Sequence, residues 1–122
     1  PAMFNLELAT QTHCAEGSLK TIAYKLSRKQ NLPGFNSVDI TAEKLLDYIF
    51  SVGNEYDKLD LFCTHDFNIV LLLLYLMPNI KSMDVIVENW PAPLEGIYIW
   101  GKRYDFFFSW KGNIYHYKYS DD

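Results

Sequence analysis

The chain has 122 residues, 49% of them hydrophobic and 16% aromatic, with a formal net charge of -4. That length holds one domain, residues 1–122, with a core of its own, and the aromatic content excludes a disordered chain. Only Arg28 and Arg103 supply guanidinium groups, and with an acidic balance this excludes a nucleic acid backbone as the main partner.

Pro1-Ala2-Met3 reads as a cloning remnant, and no basic region followed by an apolar one opens the chain, so the compartment is not legible there. Phe4 to Thr10, "FNLELAT", alternates apolar and polar residues and predicts a strand, which "QTHCAEGS" interrupts. Ser18 then caps a helix with Leu19, Ile22, Ala23 and Leu26 on one face, closed by Pro33 and Gly34. Thr41 is placed to cap a second helix, in which Ala42, Leu45, Leu46, Ile49 and Phe50 recur at helical spacing, Glu43 lies near the positive end of the dipole, and Gly53 and Asn54 mark the stop.

"LDLFC" has the apolar continuity of a strand covered on both faces, and the block after Asp66 is too long for a strand, which makes it a helix. Phe67 to Met77 is well short of the ~20 residues that cross a bilayer, so no membrane span is expected. From Ser82 onward "SMDVIVE", "GIYIW", "RYDFFFSW" and "NIYHYKY" are short, aromatic and β-branched runs separated by turn residues. The fold class that follows is α/β: a mixed sheet flanked by helices, ending in an antiparallel β meander.

Cys14 and Cys63 have no metal-ligand spacing, so neither a metal nor a cofactor is expected, and the pair reads either as one disulfide or as two separate buried thiols. The chemistry-bearing stretch is "CTHDFN". Thr64, His65 and Asp66 stand between a predicted buried strand and a predicted helix, where backbone N–H groups and the helix dipole collect anions. There an imidazole donates to a phosphate oxygen, and a carboxyl group either passes a proton to a leaving group or holds the imidazole in one tautomer. Thr64 and Asn68 flank the pair as candidate substrate contacts, and the bland alternative is an ordinary helix cap at Thr64 or Asp66.

"LFCTHDFNIVLLLLYLM" resembles the second block of the histidine phosphatases, in their acid phosphatase and phytase branch, where a hydrophobic strand ends in His-Asp and an apolar helix follows. "NWPAPLEGIYIWGKRYDFFFSW" is similar to the proline-containing loop and aromatic hairpin that come next in that branch, and the resemblance spans about residues 40 to 118. It implies a phosphomonoesterase working through a phosphohistidine, with His65 clamping the phosphate and Asp66 protonating the leaving oxygen. The family's Arg-His-Gly-x-Arg-x-Pro string is missing. Its nearest echo is "ELATQTHCAEGS", with His13 as candidate nucleophile and Thr12, Cys14 and Glu16 where arginine, glycine and arginine would stand. Either the chain is a degenerate relative, or the missing groups lie on a further N-terminal segment or another chain.

His116 and Lys118 are expected on the exposed face of the last strand, and Lys102, Arg103 and Lys111 at hairpin turns as solvated charges. "FFF", Phe106 to Phe108, necessarily puts aromatics on both faces of its strand, which points to a helix, a second copy of the chain or a missing segment as cover. Two functions compete: a phosphate-ester site at the Thr-His-Asp strand end, and an inactive interaction or self-association module on the same scaffold.

Overall fold

A computed structural model describes residues 2–52, 66–78, 84–86, 88, 90–91 and 96–119. Among these the elements are α1 (Leu6–Glu16), α2 (Leu19–Ser27), α3 (Val38–Val52) and α4 (Asp66–Leu76), then β1 (Tyr98–Lys102), β2 (Asp105–Trp110) and β3 (Asn113–Lys118). The class is α/β and the meander lies at the C-terminal end as expected, with strand order β1-β2-β3, antiparallel throughout.

The predicted first strand over Phe4 to Thr10 is a helix instead. Asn5 accepts the Leu8 N–H at 3.1 Å and caps it, and Gly17, at φ 90, closes it by donating to the His13 carbonyl at 2.9 Å. Once these caps impose the helical period, Leu6 and Leu8 are exposed and only Ala9 and Thr12 are buried, so the apparent alternation had no sheet behind it. Thr12 donates to the Pro33 carbonyl at 2.7 Å, which fastens α1 to the turn after α2. Ala2 is buried and Met3 bridges Phe35, so both belong to the folded unit.

Ser18 caps α2 by accepting the Thr21 N–H at 3.2 Å, and Ile22, Ala23 and Leu26 form the buried face that the spacing predicts. The helix α3 starts three residues before the expected cap. Ser37 accepts the Ile40 N–H through its hydroxyl at 3.2 Å, while Thr41 is fully buried. Val38, Ala42 and Leu46 complete the apolar stripe of α3.

Apolar on nearly every side, α4 can only be stable at the centre, and Phe67, Val70, Leu71, Leu72, Leu73, Leu74 and Leu76 are all buried. It packs on α2 and α3. Asp84–Ile86 is a helical turn, which corrects the strand expected at "SMDVIVE" for the part of it that is described. Asp84 pairs with Arg28 at 2.9 Å and Ile86 is buried, so this turn closes one side of the core. The predicted strand at "LDLFC" lies outside the described residues.

The meander lays Phe106, Phe108 and Trp110 against the helices, with Phe106 5.4 Å from Phe50 between ring centres and Tyr75 6.1 Å from Tyr117. Helices therefore cover one face of "FFF". On the opposite face Trp100, Phe107 and His116 occupy one cross-strand row, stacked at 5.9 and 4.7 Å, and Tyr98 and Ile114 flank them, exposed. Lys111 at φ 49 and Gly112 at φ 81 form the tight left-handed hairpin turn between β2 and β3.

Candidate functional site

Asp66 is the first residue of α4 and is exposed, at the end of the helix where unpaired backbone N–H groups gather. One carboxylate oxygen, Oδ1, accepts the Phe67 N–H at 2.8 Å, and the other, Oδ2, accepts the Trp90 indole N–H at 2.6 Å. The next residue, Phe67, is buried, and its ring stacks on Trp90 at 6.4 Å with an 18° tilt and meets Phe35 edge-on at 5.8 Å. These contacts fix the carboxylate in one orientation on a hydrophobic base. Trp90 therefore both packs on Phe67 and bonds Asp66, which adds to the site a residue that spacing alone did not indicate.

Thr64 and His65 lie outside the described residues, as does Cys63. Asn68, two residues into α4 from Asp66, is buried. His13, expected in the break just after the first strand, instead occupies the last turn of α1, exposed, with its carbonyl taken by Gly17. Among the described residues no hydrogen bond or ion pair joins it to Asp66. Its neighbour Cys14 is an exposed free thiol and not a buried one. Glu16, which stands at the position of an expected arginine, forms an ion pair with Lys25.

Both arginines of the chain are engaged. Arg28 pairs with Asp84 and its guanidinium is held even more firmly protonated than usual, first by that hydrogen bond and then by the Tyr24 hydroxyl. Arg103, expected as a solvated turn residue, bonds Asp47 on α3 at 2.7 Å with only 16% of its side chain exposed. No sequence signal marks that pair, because the partners are 56 positions apart. His116 does lie on the exposed face, where it stacks on Phe107 and bonds Asp105. That bond, followed by the charges of His116, Lys118 and Lys102, lowers the Asp105 carboxyl below its usual value.

Among the described residues no three His, Cys, Asp or Glu side chains converge as a metal site, and no helix is long and apolar enough to cross a membrane. No family model matches the chain, and no curated protein or solved structure matches it.

Proposed function

We propose that the chain is a histidine-phosphatase-like domain whose phosphate or anion site lies at the Thr64-His65-Asp66 strand end, with phosphomonoester hydrolysis through a phosphohistidine as its inherited reaction. One observation carries this reading. The Asp66–Trp90 hydrogen bond and the Phe67–Trp90 stack join Asp66 and Phe67, from the first block of the resemblance, to Trp90, from the second. In this reading His65 donates to a phosphate oxygen, Asp66 protonates the leaving oxygen, Trp90 orients that carboxylate, and Thr64 and Asn68 line the site. Hydrolysis further requires a nucleophile and guanidinium clamps, because Arg28 and Arg103 are held by Asp84 and Asp47.

The test is turnover of p-nitrophenyl phosphate and binding of vanadate by the parent chain and by His65→Ala, Asp66→Ala and His13→Ala. The expected outcome is vanadate binding that falls at least about tenfold in His65→Ala, the loss of one charge-assisted contact. Unchanged binding in that variant would sink the assignment.

A second reading, an inactive interaction or self-association module, is favoured by the row of Trp100, Phe107 and His116 with Tyr98 and Ile114 on the outer sheet face. Absence of vanadate binding, together with a dimer mass under native conditions, would select it.

A further inference from the structure

A concave site lies toward the other end of α4 from Asp66. Glu43 and Asp47 of α3, Tyr75 of α4, Arg103 and Tyr104 of the β1–β2 turn and Tyr119 after β3 line a cleft of about 490 Å³. Tyr75 is nine positions along the helix from Asp66, roughly 13 Å at the helical rise, so the cleft is separate from the seam and independent of the reading above.

Three phenol rings and one net negative charge meet here. The Tyr119 N–H donates to the Tyr104 carbonyl at 2.9 Å, and this bond fixes the two rings edge to face, 5.7 Å apart at 61°, as two walls of a corner. Tyr75 supplies a half-buried third ring whose hydroxyl meets that of Tyr117 at 3.4 Å. Burial first, then that hydrogen bond and the nearby Glu43 carboxylate, hold the Tyr75 phenol neutral far into the alkaline range. Asp47 neutralises Arg103, whereas Glu43, one turn earlier on the same helix face, has no hydrogen-bond or ion-pair partner among the described residues. The corner already accepts one cation: the Arg103 guanidinium lies over the Tyr104 ring, 4.5 Å from its centre.

Electron-rich ring faces beside one unneutralised carboxylate form the environment that recognises organic ammonium ions. We propose that this cleft binds a small organic ammonium ion, with the Tyr75, Tyr104 and Tyr119 rings around the cation and Glu43 as its counter-charge. An anionic ligand is disfavoured by the same residues, since the only guanidinium in the cleft is already paired and Glu43 repels it.

Choline is the probe, titrated into the full chain at constant ionic strength while the tyrosine ring signals are followed by NMR. The expected result is saturable perturbation of the cleft tyrosines, about tenfold weaker binding by Glu43→Gln, and no saturation with the uncharged carbon isostere of choline. Tyr104→Ala, at an exposed position, is the second variant and is expected to abolish saturation. Equal binding of the uncharged isostere, unchanged affinity in both variants, or no effect beyond that of sodium chloride would each overturn the proposal. Vanadate binding at the seam is expected to be the same in Glu43→Gln, which keeps the two sites distinguishable.

Discussion

Gly34 sits where α1 crosses the turn that follows α2, at φ 84, and a Cβ built there would overlap the backbone nitrogen of Ala9. Neither the dihedral nor the contact can be relieved by a side-chain movement, because the obstacle is main chain. Gly34→Ala is expected to cost about 2 kcal/mol or more, read as a lower denaturant midpoint at unchanged slope. A change within ~0.5 kcal/mol would mean that α1 does not press on this turn. At the same scale, Ser18 was legible because a cap needs only its own local N–H groups. The cap of α3 was not: Ser37 and Thr41 offer the same hydroxyl, and the choice between them was made by burial of Val38 and Thr41 in a core that local sequence does not reveal. The Trp90 hydrogen bond was not legible for a related reason, since its indole N–H meets a carboxylate 24 positions away.

Among the elements, amphipathic α2, apolar α4 and the three strands were readable, because each carries a period or composition that only one environment satisfies. α1 was not. A seven-residue alternation such as "FNLELAT" is compatible with either period, and it was decided by Asn5 and Gly17 at the two ends of a longer helix. The meander carries its own electrostatics: Asp105 faces His116 and Lys118 across β2 and β3 and Lys102 across β1 and β2. Because its carboxyl is lowered in the fold, it contributes stability at pH values above its unfolded value, about 4, and that contribution is lost as the pH falls through the lowered folded value. Asp105→Asn is therefore expected to flatten the acid limb of a stability-versus-pH curve measured with urea, while an unaltered limb would show that Asp105 is not coupled to folding.

For the whole molecule, the α/β class and the terminal meander were legible, and the long-range ties were not. Arg28 to Asp84 and Arg103 to Asp47 each span 56 positions, and no periodicity records which charge meets which. Of the proposed seam, Asp66 and its helix were legible from "THDFN", whereas its orientation by Trp90 depends on a contact across 24 positions that no local pattern records.

The left-handed pair Lys111 and Gly112 has a kinetic consequence. It joins Trp110 to Asn113 across the shortest hairpin loop, so β2 and β3 zip together at little entropic cost, whereas docking the finished meander on α3 closes a long loop. The meander can thus close before it has a core to rest on. Lys111→Gly, which relaxes the strained dihedral, is expected to raise the folding rate, and Asp47→Ala to raise mainly the unfolding rate, in a chevron analysis. The reverse assignment would place the docking contact, and not the turn, in the folding nucleus.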